Sequence, residues 1–207
     1  MKNKIMILVF VLTIAMSTVV FAKVITPEVI SFSDVPLTHW AVEHIYEAQS
    51  KGIVNGYPDG TFAPEANVAV GEFIKMVAVT YYKDYKYTAP TDGSHWAMPY
   101  VNSLHRVVLN KDNYDYETLE RTITRAEASR ILCMLYLTTH NVELDTTYSL
   151  VGSFADEASI TDMTDRLAVD NCVRFGLING HAEDNTFRPL EGLTRCQAAK
   201  ILCLADK

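Results

Sequence analysis

Apolar residues recur at helical spacing along this chain of 207 residues. After Trp40, the residues Ala41, Ile45 and Ala48 stand three or four positions apart, which places their side chains on one face of an α-helix. Similar apolar spacing returns in two later stretches of the chain. We therefore predict three helices of this kind, beginning near Trp40, Trp96 and Thr164.

A second helix is predicted to follow each of these after a loop. Thr124 and Glu127 form a capping-box pattern, in which the hydroxyl accepts a backbone N–H and the carboxylate reaches back to the cap residue. Thr194 and Gln197 repeat this pattern. In the first copy Ala69 stands at the cap position, so we expect that helix start to be weaker by about 1 kcal/mol.

Glycines and polar segments separate the predicted helices. Gly52 and Gly176 stand where glycine commonly ends a helix, and residues 56–60 are turn-forming types. The polar segments 83–94 and 138–152 are predicted to be loops between units. The pattern predicts an all-α fold of three helix–loop–helix repeats, at residues 30–82, 88–138 and 152–207.

The first 22 residues are typical of a secretory signal peptide. Lys2 and Lys4 precede the apolar run 5–20, and small residues end it, so we expect cleavage after Ala22. The alternative is an uncleaved N-terminal anchor. Cleavage leaves 185 residues, and we predict no membrane-spanning segment among them.

The charge of the mature chain is acidic. The signal segment contains two lysines and no acids, so 16 basic and 25 acidic residues remain, a net charge of −9. Nucleic acids and anionic membranes attract basic surfaces, and the sequence therefore predicts neither as a partner. A few well-placed arginines could still hold an anionic ligand.

No catalytic or metal-binding pattern is evident in the sequence. The motifs of nucleophile elbows, phosphate-binding loops and zinc proteases are missing, and we predict that the protein is not an enzyme and uses no cofactor. His39 and His95 have no further ligands at metal-site spacing, so we predict no metal.

The four cysteines align mostly with small residues of the other copies. Cys133 and Cys203, for example, both align with Ala78. A free cysteine packs as a small apolar residue, so buried free thiols are expected. In an exported protein a disulfide is the alternative, and Cys133 with Cys203 is then the expected pair.

Three motifs resemble the S-layer homology domain, the wall-attachment module of bacterial surface proteins. They are the opening Phe32, Asp34, Val35, His39, Trp40 and Ala41, the loop from Gly56 to Phe62, and the segment from Ile123 to Glu127. The resemblance covers nearly all of the mature chain. It implies a secreted protein of the cell wall or cell surface, with three lobes in pseudo-threefold arrangement.

The resemblance also implies a ligand and a set of binding residues. The ligand is a secondary cell-wall polysaccharide, often bearing pyruvate ketals, or another peptidoglycan-linked polymer, bound non-covalently in grooves between repeats. The residues expected at these grooves are Asp34, Trp40, Asp59, Asp92, Trp96, Arg125, Asp156 and Arg195.

The copies depart from the family pattern in different places. Val70 stands at the arginine position of the first copy, and Met163 or Thr164 at the tryptophan position of the third. The loop at 56–62 is altered in the third copy and missing in the second. We therefore expect one or two working sites, and we expect the motif position occupied by Val70 to face solvent.

The residues themselves leave alternatives open. Arg125 and Arg195 at the first helical position oppose the helix dipole, which favours an anionic ligand there, but either could pair with an aspartate of a neighbouring repeat. Trp40 and Trp96 could stack on a sugar or anchor a helix in the core. The alternative to sugar binding is a structural or protein-interaction module of the cell envelope.

Overall fold

The described part of the chain is helical. The computed structural model describes residues 31–105, 109–147 and 153–207, so the predicted signal peptide at 1–22 lies outside it. These ranges contain no β-strand, and none of their helices is long and apolar enough to cross a membrane. The helices are α1 (Val42–Ser50), α2 (Val70–Tyr81), α3 (Met98–Leu104), α4 (Tyr116–Glu120), α5 (Arg125–His140), α6 (Met163–Arg174) and α7 (Arg195–Ala205). The predicted all-α class is confirmed.

The predicted helix ends agree with the structure to within two residues where the motifs are clear. The three first helices are α1, α3 and α6, and they begin within two residues of the expected positions. Gly52 and Gly176 follow α1 and α6 with φ of +71° and +70°, a left-handed backbone that glycine adopts without steric cost. Helix α5 runs to His140, so the loop predicted from residue 138 begins slightly later.

Both predicted capping boxes are present. The hydroxyl of Thr124 accepts a hydrogen bond from the backbone N–H of Glu127 at 3.2 Å, and the Glu127 carboxylate accepts from the N–H of Thr124 at 3.0 Å. Thr194 and Gln197 exchange the same two bonds at the start of α7.

A closed ring of three backbone hydrogen bonds joins the segments that precede α2, α5 and α7. The N–H of Val68 donates to the carbonyl of Leu193 at 2.9 Å, Leu193 donates to Ile123 at 3.0 Å, and Ile123 donates back to Val68 at 3.0 Å. All three side chains are fully buried. The ring therefore fixes the starts of α2, α5 and α7 around one apolar centre.

The first helices pack against second helices from other predicted units. Helix α1 packs on α7, α3 packs on α2, and α6 packs on α5. The second unit thus packs on the first, the third unit on the second, and the first unit on the third. The apolar core runs through all of these contacts as one cluster. No single unit encloses its own core.

The four cysteines are free and buried, as expected. The alternative pairing of Cys133 with Cys203 is not formed. The neighbour of Cys133 is Cys172, whereas the thiol of Cys203 donates to the carbonyl of His44 at 3.5 Å. Burial raises the pKa of Cys203 to about 11 and that of Cys196 to about 11.

Thiol labelling is expected to separate the folded from the unfolded protein. At pH 8, a thiol with a pKa near 11 is ionised to only about one part in a thousand, and the thiolate is the reactive form. Cys133 and Cys172 are buried as well, so all four thiols of the folded mature protein should react very slowly with a maleimide. After unfolding without reductant it should take up four equivalents, as measured by intact mass. An uptake of two would show that a disulfide had formed.

The start of α2 offers a direct test of capping. Ala69 has no side-chain acceptor, and the carboxylate of Glu72 receives its N–H at 3.0 Å, so only half of the box is present. Ala69→Thr should raise the free energy of unfolding by about 1 kcal/mol, because the hydroxyl accepts an otherwise free N–H. Ala69→Val, with nearly the same shape and no hydroxyl, is the control in denaturant unfolding. Equal stability of the two variants would contradict the capping argument.

Candidate functional site

Arg125 lies at the first position of α5, and its side chain runs into the protein. The residue is only 4% exposed. Its Nε donates to the carbonyl of Phe187 at 2.8 Å, and its Nη2 donates to the carbonyl of Asn179 at 2.9 Å. The guanidinium carbon lies 4.9 Å from the centre of the Phe187 ring. Burial lowers the pKa of Arg125 below its usual value.

Arg195 repeats this arrangement at the start of α7. Its Nε donates to the carbonyl of Phe62 at 2.8 Å, and its Nη2 donates to that of Asn55 at 3.0 Å. The rings of Tyr57 and Phe62 lie 4.9 and 4.8 Å from its guanidinium carbon. The intramolecular partners of both arginines are thus backbone carbonyls, rather than the aspartate that the salt-bridge alternative named.

Arg125 forms the floor of a groove, here called groove A, with a volume of about 420 Å³. Trp40 stands on one side of it, just before α1, and Lys200 of α7 reaches over the tryptophan ring at 5.6 Å. Residues 177–183 also line groove A. Glu65, Gln197 and Ile201 complete the lining.

A second groove, groove B, has the same construction and a volume of about 200 Å³. Arg195, Trp96 and Lys75 line it together with residues 53–57. These groups match groove A type for type: a buried arginine, a tryptophan that precedes a first helix, a lysine on a second helix, and the loop whose carbonyls hold the arginine.

The two tryptophans are accessible. Trp40 is 56% exposed and Trp96 is 43% exposed. A residue that anchors a helix start in the core would be buried, so exposure favours the ligand-contact alternative for both. The structure thus brings predicted site residues together in two places, Trp40 with Arg125 and Trp96 with Arg195.

The third position around the ring, groove C, is built differently. Val70 replaces the arginine there and is only 2% exposed, so the expectation that this position faces solvent is wrong. It is buried because the start of α2, like those of α5 and α7, points into the protein. Arg121 and Arg130 are the basic residues of this groove, and Arg130 lies 3.3 Å from Asp165 in an ion pair that lacks hydrogen-bond geometry. Burial raises the pKa of Asp165.

Asp34 and Asp156 hold the loops that hold the arginines. The carboxylate of Asp34 accepts from the N–H groups of Phe62 at 2.8 Å and Ala63 at 2.6 Å. Asp156 accepts from residues 187 and 188 in the same way, both at 2.7 Å. Because residues 63 and 188 have φ of +55° and +58°, these bonds stabilise an unfavourable backbone. Neither aspartate lines groove A or B; each positions a carbonyl that accepts a hydrogen bond from the arginine of a groove.

Asp59 and Asp92 lie in tight turns. Asp59 accepts from the hydroxyl of Thr61 at 2.7 Å and from its N–H at 2.9 Å, and these bonds lower the pKa of Asp59. Asp92 accepts from the N–H of Ser94 at 3.0 Å, and hydrogen bonding to Ser94 lowers its pKa as well. Neither belongs to the lining of grooves A, B or C.

Sequence reasoning missed the two lysines of the grooves. Lys75 and Lys200 each lie five residues after the arginine-motif position, and Arg130 holds the same place in the remaining copy. A basic residue at one aligned position in all three copies was the signal that could have found them.

A cluster of possible metal ligands lies at the edge of groove A. His39 Nε2 is 3.3 Å and Cys196 Sγ is 3.7 Å from the Glu65 carboxylate, so ligands do converge here, contrary to the sequence-based expectation. The N–H of Ala41, however, donates to His39 Nδ1 at 3.1 Å. That bond places the ring proton on Nε2, the atom that would have to bind a metal. The cluster is therefore a hydrogen-bonded His–Glu pair, and His95 makes a similar pair with another glutamate at 2.6 Å.

Comparison with known proteins identifies the type of module. The family model of the S-layer homology domain matches residues 31–73. Cell surface glycoprotein 1 of Acetivibrio thermocellus is 38% identical over 73 residues, which are 32% of this chain and 3% of that protein. S-layer protein EA1 of Bacillus anthracis is 25% identical over 182 residues, 86% of this chain and 20% of that protein.

A third relative carries an attachment role in its name. The cellulosome-anchoring protein of Acetivibrio thermocellus is 28% identical over 139 residues, which are 58% of this chain and 31% of that protein. The chain thus corresponds to less than a third of the length of each of these relatives. The family model thus matches an S-layer homology domain at residues 31–73, and the relatives show similarity to S-layer and cell-surface proteins over most of the chain.

Proposed function

We propose that this chain is a non-covalent anchor of the cell surface that binds an acidic cell-wall polysaccharide in grooves A and B. The observation that carries the proposal is the repeated combination of an exposed tryptophan, a lysine and a buried arginine in both grooves. Tryptophan offers an apolar face to a sugar ring, and the cations offer partners to a carboxylate.

The cations of the two grooves are free to meet a ligand. Among the described residues, neither Lys75 nor Lys200 forms an ion pair, and Nη1 of Arg125 and Arg195 has no protein acceptor. In groove C the corresponding cation is already paired with Asp165. This difference supports two working sites, the upper end of the sequence-based expectation.

The same construction supports a threefold architecture. We propose that residues 30–82, 88–138 and 152–207 are three S-layer homology repeats related by a pseudo-threefold axis. The ring through Val68, Ile123 and Leu193 and the cyclic pairing of first and second helices favour this arrangement. Grooves A and B then each contain residues of three different repeats.

The chemistry of the grooves favours recognition over turnover. Their lysines, arginines and tryptophans are binding groups, and the sequence contains no hydrolase or transferase motif. The ligand class follows from the family: a secondary cell-wall polysaccharide with pyruvate ketals, or another peptidoglycan-linked polymer, supplies both the sugar face and the carboxylate. Export through the signal peptide at 1–22 belongs to the same proposal.

Lysine variants test the proposal without disturbing the core. Lys75→Ala and Lys200→Ala each remove one charge-assisted contact of roughly 1.5–3 kcal/mol. Each variant should therefore weaken ligand binding in its own groove by about 10- to 150-fold. The double variant should no longer sediment with purified wall sacculi. Arg130→Ala in groove C is the matched control and should sediment like the wild type. If all four variants sediment like the wild type, the module binds through another surface, as the protein-interaction alternative requires.

The buried arginines are expected to be structural as well as ligand-binding. Arg125→Leu leaves two carbonyl groups without a donor, so it should lower the free energy of unfolding by about 1–3 kcal/mol. Arg130→Leu, at a half-exposed site, should cost less than about 1 kcal/mol. Urea unfolding of both variants measures these changes. Equal losses in the free energy of unfolding would show that the buried Arg125 stabilises the protein no more than the half-exposed Arg130.

A further inference from the structure

Groove B continues on the far side of Trp96 into a second cleft, here called the aromatic cleft. Its volume is about 300 Å³. It is lined by Tyr87, Thr88, Ala89, Pro90, Trp96, Pro99 and Tyr100. None of these side chains carries a charge at neutral pH. Trp96 is the one residue that lines both groove B and the aromatic cleft.

The aromatic wall of the cleft is held in place. The rings of Tyr87 and Tyr100 stack with centres 4.1 Å apart, and Tyr100 meets Trp96 edge to face at 6.4 Å. The hydroxyl of Tyr87 donates to the carbonyl of Ala78 at 3.2 Å. Burial raises the pKa of Tyr87, so the hydroxyl stays protonated and keeps this bond in alkaline buffers. The cleft is therefore preformed.

Groove A lacks this extension in the described part of the chain. His44 stands at the position after Trp40 that Tyr100 occupies after Trp96. The aromatic neighbour of Trp40 is His39, with ring centres 5.8 Å apart, and no tyrosine ring of the described residues stacks beside it. The cleft is thus a feature of one groove and is supplied by the Tyr-rich loop at residues 83–94 together with α3.

We propose that the aromatic cleft is a second subsite, which binds an uncharged sugar residue of the polymer whose acidic residue lies in groove B. The inference rests on the proposed function. Aromatic faces carry negative charge density and attract the polarised C–H bonds of a pyranose, whereas the uncharged lining offers nothing to a carboxylate. The shared Trp96 makes the two sites continuous, so one polymer can occupy both.

Fragment length is the variable that tests this subsite. The probes are acid-released wall polysaccharide, sorted by size, titrated into the mature protein carrying Lys200→Ala so that groove B dominates. Tyr100→Leu keeps the apolar volume but removes the aromatic face. It should weaken binding of the longer fragments by about 3- to 10-fold and leave the shortest binding fragment unchanged. Tyr100→Phe should bind both as the parent does.

Matched controls separate the possible failures. His44→Leu, at the aligned position in the first unit, should change neither affinity. Lys75→Ala should weaken short and long fragments alike, and if it weakens neither, the proposed function itself fails. If Lys75→Ala weakens binding while Tyr100→Leu does not distinguish long from short fragments, the aromatic subsite is wrong. Tight binding of a proline-rich peptide that Tyr100→Leu alone abolishes would replace the sugar with a polypeptide occupant.

Discussion

The closed ring of hydrogen bonds through Val68, Ile123 and Leu193 is the constraint on which the rest of the structure depends. Each member donates to one neighbour and accepts from the other, so no backbone group at the apolar centre is left without a partner. The ring also fixes where α2, α5 and α7 begin. Because their first residues point inward, the side chains at those positions are necessarily buried, and the positions of Arg125, Arg195 and Val70 follow from that.

On the proposed function, the buried arginines of grooves A and B contribute both to ligand binding and to folding. A buried guanidinium is costly unless its donors are satisfied, and here two backbone carbonyls satisfy it. Those carbonyls are held by loops that Asp34 and Asp156 stabilise from below. The aspartates thus act on the binding surface through the loop and the arginine, without contacting the groove. Because the aspartates hold the loops and the loop carbonyls hold the arginines, each guanidinium is fixed in position before a ligand binds.

Local features were predictable from the sequence, and long-range ones were not. The capping boxes at Thr124 and Thr194 and the left-handed Gly52 depend on adjacent residues, and each prediction is confirmed. The burial of Val70 was mispredicted because the residues of a helix start do not show which other parts of the chain pack against it. The pairing of α1 with α7 joins residues far apart in sequence, and the position of Lys200 over Trp40 depends on it. Aligning the copies for charge would have recovered that lysine without the fold.

The pairing of α1 with α7 also closes the described part of the chain, because these are its first and last helices. Asp206 reinforces the closure through ion pairs with Lys51 at 3.1 Å and Lys83 at 2.9 Å. Groove A straddles this seam, since Trp40 precedes α1 and Lys200 belongs to α7. On the proposed function, a polymer bound in groove A would contact both sides of this seam. Tension on the ends of the chain would then have to break the polymer contact and the helix contact together.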